Sequence, residues 1–278
     1  MKLAFSTLGV PGLPVHEVVR LAAGHGFHGV ELRAAGDEEP VHIGLTAAQR
    51  AEVAAEFGRA GIEVTGIASY AKAAAPGDDE PVLTDIRAHV DLAADLGASY
   101  VRVFPGAGTA AAPAGTDSPY GPDSPEADLI AARRLAAAAP YAAERGVRVL
   151  LETHDSHAAG ADVARVLGLV GHRGAGALWD VMHTWRAGEQ PSATYKALAP
   201  YLGYVQVKDI GSAGDTTPLA LGAGVLPLAE TVEVLSRAGW DGWLCWEYEK
   251  RWYESVPELA GLLGPGRKHL LRLLDDSA

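Results

Sequence analysis

Eight short β-like runs alternate with longer helical stretches along the 278 residues, and this alternation limits the fold more than any other feature. The runs are LAFST 3–7, GVELR 29–33, EVTGIASY 63–70, YVRVFPG 100–106, RVLLETH 148–154, GALWDVM 176–182, GYVQVKDI 203–210 and GWLCWEYE 242–249. Between them the apolar residues follow a helical period, as in Val15, Val18, Val19, Ala22 and Ala23. The helical stretches stop in a recurring way: AAGHGF, RAGIEV, DLGASY, ERGVRV and RAGWDGW each place glycine just past the helix. Glycine suits that position because the residue after a helix often adopts the left-handed conformation that a Cβ disfavours.

The helix-to-strand joins are therefore short, and several strand-to-helix joins are long: 71–81, 105–125 and 211–226, all rich in Gly, Pro, Ser or Ala. Each long join is followed by another unit of the same kind, so none reads as a linker between domains. The expectation is an α/β chain forming one (β/α)8 TIM barrel domain over 1–278, with its site at the C-terminal ends of the strands. An open doubly wound sheet is the runner-up, but no Gly-x-Gly-x-x-Gly turn follows the first strand and no P-loop occurs.

Charge and composition narrow the partners. The net charge of −12 supplies no excess of cations for phosphate backbones or anionic lipid, so neither nucleic acid nor membrane is expected as a partner. A single cysteine, Cys245, fits a reducing cytoplasm. No stretch approaches the roughly 18–20 apolar residues of a membrane span, and MKLAFSTLGVPG breaks too early for a signal segment. Association into a homo-oligomer stays open.

In a barrel strand alternate side chains face inward. On that parity Leu150, Glu152 and His154 share the inner face of the fifth strand, and Leu178 and Asp180 that of the sixth. Gln206 and Lys208 do so on the seventh, and Cys245, Glu247 and Glu249 on the eighth. Four successive strands thus aim Glu152, Asp180, Gln206 and Glu247 at the barrel mouth. Three carboxylates at one place repel, and either protonation or a divalent cation relieves them. Oxygen donors of this kind suit Mg2+ or Mn2+. Each residue alone also has a bland reading: a carboxylate at a strand end can cap a helix or pair with a cation, and Gln206 could hydrogen-bond a neighbouring carboxylate.

The opening FSTLG, GVELR, LETH, LWDVMHTWRAGEQP, YVQVKD and WEYEKRW, in this order and spacing, resemble the xylose isomerase-like barrel superfamily in its sugar phosphate isomerase/epimerase branch. The resemblance spans the whole chain. It implies one divalent metal held at Glu152, Asp180, Gln206 and Glu247, with Gln206 standing where the family usually has histidine. An amide oxygen in place of a nitrogen favours Mn2+ or Mg2+ over Co2+ or Zn2+, which remain allowed. The resemblance further implies that Glu152 and Glu247 shuttle protons on opposite sides of a sugar or keto-polyol, through an enediolate that the cation stabilises.

Around that core, His183 would reach a substrate oxygen from the loop after Asp180, or cap the next helix. His154 would bind substrate or orient a neighbour. Lys208 would neutralise an enediolate or bind substrate, its alternative being a buried pair with Glu249 or Asp209. Arg186 is a further substrate-binding candidate, Trp252 could line the pocket, and Glu31 with Arg33 reads as a local pair. His16, His25, His28, His89 and His172 read as surface or packing residues.

The reading is therefore an enzyme, a carbohydrate isomerase/epimerase. The alternative is a carbon–oxygen lyase, a dehydratase of a keto-inositol or 3-keto-sugar, because the same enediolate can expel a β-substituent. An abasic-site endonuclease is disfavoured by the acidity and the shortage of mouth histidines, and a non-catalytic sugar-binding barrel by the paired glutamates.

Overall fold

In the computed structural model of the chain, residues 1–108 and 124–277 are described. Eight parallel strands close into a barrel: β1 (Lys2–Ser6), β2 (Gly29–Arg33), β3 (Glu63–Lys72), β4 (Tyr100–Phe104), β5 (Arg148–Glu152), β6 (Ala175–Asp180), β7 (Leu202–Val207) and β10 (Trp243–Trp246). Around the ring the order is β1-β10-β7-β6-β5-β4-β3-β2. The helices between them are α1 (Val15–His25), α2 (Ala47–Ala60), α3 (Asp79–Leu96), α4 (Pro125–Glu144), α5 (Gly160–Val170), α6 (Val181–Arg186), α7 (Pro191–Leu198), α8 (Leu228–Arg237) and α9 (Leu259–Asp276). The expected (β/α)8 barrel is what the chain forms.

Two apolar layers hold it. The larger lies between the strands' outer faces and the helices and includes Phe5, Val30, Ile67, Val149, Trp179 and Trp246. The smaller, Ala4, Leu150, Leu178, Tyr204, Trp243 and Cys245, fills the barrel interior near its base. Leu150, Leu178 and Cys245 belong to the inward parity read from sequence, so the next inward residues along the same strands stand at the mouth. The short helix-to-strand joins behave as expected: Gly26 and Gly61 end α1 and α2 at φ of 73° and 66°.

The long joins differ from one another. Residues 109–123 of the join at 105–125 lie outside the described residues. The join after β7, read from sequence as long and rich in small residues, carries an antiparallel hairpin of β8 (Ile210–Ser212) and β9 (Asp215–Pro218). It folds around Asp209, whose carboxylate accepts the backbone N–H groups of Ile210 (3.1 Å), Gly222 (2.9 Å), Gly224 (2.9 Å) and Leu226 (3.2 Å). A Cβ at Gly224 would meet Asp209 Oδ1 at 2.2 Å, so only glycine allows that approach. Among the described residues no helix is long and apolar enough to cross a membrane.

Candidate functional site

A cavity of about 330 Å³ opens at the C-terminal ends of the strands and is lined by Tyr70, Arg102, Glu152, His154, His183, Lys208, Glu247 and Trp252, among others. Glu152 ends β5 and Glu247 follows β10 directly, its N–H donating to Val207 O at 3.0 Å. Asp180 and Gln206 are fully buried behind this lining, level with each other in the β6–β7 register.

Asp180 carries two roles at once. Its Oδ1 caps α6, accepting the N–H of Met182 at 2.8 Å and of His183 at 3.3 Å, while Oδ2 faces Lys208 Nζ at 2.8 Å. Thr153 fixes its backbone: Thr153 Oγ1 accepts from Asp180 N at 2.9 Å and donates to Asp180 O at 3.2 Å. Because the cap starts α6 immediately, His183 sits in a helix and not in a loop, contrary to the sequence expectation. Its ring packs on His154 with centroids 4.2 Å apart, and His154 packs on Phe104 at 4.5 Å.

Lys208 is buried among three carboxylates, Asp180, Glu247 and Glu249 (2.7 Å to the last). Asp209, the other partner expected from sequence, anchors the loop instead. Arg186, the last residue of α6, is exposed and outside the cavity lining, and its Nε donates to Ala213 O at 3.0 Å, tying α6 to the hairpin turn. Trp252 does line the cavity and is 53% exposed.

The sequence reading missed Arg102 and paired Glu31 wrongly. Arg102, buried at mid-β4, sits 3.3 Å from Glu152 Oε2 through Nη1 and stacks over Phe104 at 3.8 Å. Glu31, fully buried in β2, does not pair with Arg33; it accepts hydrogen bonds from Tyr204 Oη and Gln206 Nε2 across the barrel. Arg33 pairs with Glu39 and donates to Tyr70 Oη at 2.9 Å. An arginine interrupting the apolar run YVRVF was the available signal for Arg102, since parity places it with the inward Tyr100 and Phe104.

The two expected catalytic glutamates sit in opposite environments. Burial pushes the Glu152 carboxyl up to about 8, against the pull of Arg102 and His154. Burial acts the same way on Glu247, but Lys208 and Arg102 beside it bring it below its ordinary value. Burial and the neighbouring Glu247 raise Glu31, and burial raises Asp180 in spite of Lys208. Burial, His154 and Lys208 depress His183 well below the usual imidazole range, so it is neutral at neutral pH. His154 is raised, because Asp155 and Glu152 outweigh its burial. Asp155, held at φ 36°, accepts Gly106 N–H at 3.0 Å and so pins the β4 loop to the β5 loop.

The donor set fits a divalent cation. Glu31, Glu152, Asp180, Glu247 and Glu249 outnumber the two cations among them, Arg102 and Lys208. Gln206 Oε1 is buried without a hydrogen-bond partner, while Glu152 Oε2 and Asp180 Oδ2 meet the cations Arg102 and Lys208. Among the described residues, the carboxylate and imidazole group whose ligand atoms converge is Glu152, His154 and His183, within 4.8 Å of one another. The expected Glu152, Asp180 and Glu247 do not form such a group, and Lys208 stands between Asp180 and Glu247.

Comparison with known proteins agrees with this architecture. A Streptomyces coelicolor protein named provisionally as a hydroxypyruvate isomerase is 31% identical over 212 residues, covering 68% of this chain and 70% of that protein. Two solved structures share the fold. The probable 3-DHS dehydratase AsbF of petrobactin synthesis from Bacillus anthracis matches with a TM-score of 0.79 at 19% identity, over 98% of this chain and 99% of its own. D-psicose 3-epimerase with D-tagatose from Clostridium cellulolyticum H10 matches with a TM-score of 0.80 at 14% identity, over 99% of each chain. The family profile for the xylose isomerase-like TIM barrel covers residues 19–272, and the chain belongs to that family.

Proposed function

We propose that the chain is a carbohydrate isomerase or epimerase that moves a proton at the carbon next to a carbonyl, with Glu152 and Glu247 as its acid–base pair. The observation that carries this reading is the contrast between the two glutamates at one cavity. Glu152, raised to about 8, keeps its proton at neutral pH and serves as the acid; Glu247, held low beside Lys208, is ionised and serves as the base. Glu247 takes the α-proton, and Glu152 delivers a proton to the neighbouring oxygen or opposite face. Lys208 and Arg102 stay protonated throughout and hold the negative charge that develops on the substrate oxygens. Neutral His183 donates to or accepts from a substrate hydroxyl, and His154 keeps its place against Phe104 and Asp155.

Asp180, Gln206 and Glu247 would hold the divalent cation, Mn2+ or Mg2+ by their oxygen chemistry, and Glu152 would join them in the steps in which it is ionised, since a ligating carboxylate is deprotonated. When bound, it polarises the carbonyl and lowers the cost of the enediolate. The Glu152–His154–His183 group offers nitrogen donors and is the place where Zn2+ or Co2+ would bind instead. Metal content of Gln206→Ala and His183→Ala proteins, loaded separately with Mn2+ and Zn2+, separates the two placements.

The resemblance to a hydroxypyruvate isomerase at 31% identity supports a small hydroxycarbonyl substrate. The test is incubation of hydroxypyruvate, free ketoses and keto-inositols in D2O. Deuterium at the carbon α to the carbonyl with interconversion of isomers supports the reading. Exchange coupled to loss of water moves the assignment to a dehydratase, the reading favoured by the AsbF likeness in fold. No exchange across the panel overturns the enediolate chemistry.

A further inference from the structure

We propose that Glu31 is a positioning residue that holds the Gln206 side-chain amide in one orientation, so that Oε1 is the atom Gln206 offers to a cation. This rests on the reading of Gln206 as a ligand. A glutamine is an ambiguous ligand, because turning its amide by half a rotation replaces an acceptor oxygen with a donor NH2. Here the ambiguity is removed from outside. Gln206 Nε2 donates to Glu31 Oε2 at 2.9 Å and to Oε1 at 3.2 Å, and also to Glu247 Oε1 at 3.0 Å. An ionised carboxylate only accepts, so the turned amide would set its oxygen against Glu247 Oε1 and against the Glu31 oxygen that already accepts from Tyr204 Oη. The opposite end, Oε1, is buried and has no hydrogen-bond partner.

Glu31 is itself held. Tyr204 Oη donates to the same carboxylate oxygen, and Tyr204 and Gln206 are successive inward residues of β7. One acid from β2 thereby fastens two rungs of a strand that is not its neighbour in the barrel. Glu31 lies outside the cavity lining and outside the expected ligand set, so it reaches the site through Gln206. Burial of a carboxyl group in the floor of a barrel is costly, and the hydrogen bonds it accepts there offset that cost.

The composition makes the test direct. The chain has three glutamines, Gln49, Gln190 and Gln206, and no asparagine, so the side-chain NH2 region of a 15N–1H spectrum holds three pairs of signals. The Gln206 pair is the one lost in Gln206→Glu. In metal-free protein we expect this pair to be protected from solvent exchange, and to shift and lose protection in Glu31→Leu. Glu31→Gln, which keeps the size of the side chain, gives a smaller change and serves if the leucine variant does not fold. In a Mn2+ titration Glu31→Leu should weaken binding by about 10–100-fold, as loss of a group that orients a ligand does. In a Gln206→Ala background the same substitution should have no further effect. Unchanged Gln206 signals in both Glu31 variants, or an equal loss of Mn2+ affinity in the Gln206→Ala background, overturns the positioning role. A Gln206 signal that responds to Glu31 while Gln206→Ala keeps wild-type Mn2+ affinity overturns only the ligand reading on which it rests.

Discussion

The two sides of the cavity use the same residue type in opposite ways. On the β5 side Glu152 has Arg102 at 3.3 Å and ligand atoms of His154 and His183 within 4.8 Å. On the β10 side Glu247 touches Lys208 and Gln206, and Lys208 draws Asp180 and Glu249 into the same cluster. Desolvation is common to both; what differs is the supply of compensating charge. The lesson is that parity along a strand brings carboxylates to one depth, whereas residues on other strands decide which of them keeps its proton.

The strongest way to break this comparison is to remove each proton-transfer group while keeping its shape. Glu152→Gln and Glu247→Gln should each lower kcat by roughly 10²–10⁴ with substrate binding retained. Near-wild-type turnover in either would remove that glutamate from the pair. A second, slightly smaller effect concerns the cation on the β10 side. Lys208→Met leaves Asp180, Glu247 and Glu249 without their shared partner and should cost about 3–5 kcal/mol in chemical denaturation.

The pH dependence sharpens the other side. On the proposed reading Glu152 acts as an acid only while protonated, so kcat/KM should fall as pH rises through the Glu152 value, which a bound cation brings below the metal-free one of about 8. Arg102 pulls that value down, and Arg102→Met should move the basic limb to higher pH. The same group predicts a stability slope. Its folded value is raised above the ordinary 4.5, so its contribution is fully present below about pH 4.5 and is lost as pH rises through about 8. Glu152→Gln should remove its share of that slope in metal-free protein and leave the shares of the raised Glu31 and Asp180. The smallest effect is expected from Arg186→Ala, which breaks only a hydrogen bond to a hairpin carbonyl and should change stability by no more than about 0.5 kcal/mol. A large rise in KM in this variant would restore Arg186 to the substrate.

The barrel was legible in the sequence because its two periods, 2 along strands and 3.6 along helices, are local properties. The inward positions of Glu152, Asp180 and Gln206 followed from the same parity. What parity does not give is the partner. Glu31 and Arg33 are two residues apart and read as a pair, yet Glu31 bonds Gln206, 175 positions away, and Arg33 bonds Glu39. Depth explains this. Glu31 lies at the level of Tyr204 and Gln206 inside the barrel, while Arg33, one rung higher, meets the residues of the mouth. α6 was missed for another reason: six residues are too few to show a helical period, and its cue is the Asp180 cap.

The carboxylate of Asp209 has a consequence for how such a protein can diversify. With four backbone amides gathered onto one side chain, both feet of the β8–β9 excursion are clamped immediately beyond Lys208. The clamp stands between the excursion and Lys208, and the ties that reach elements bearing cavity residues are Arg186 to Ala213 and Thr216 to Tyr253. A change of length or sequence between those ties alters the rim of the mouth without moving the anchored base of the excursion.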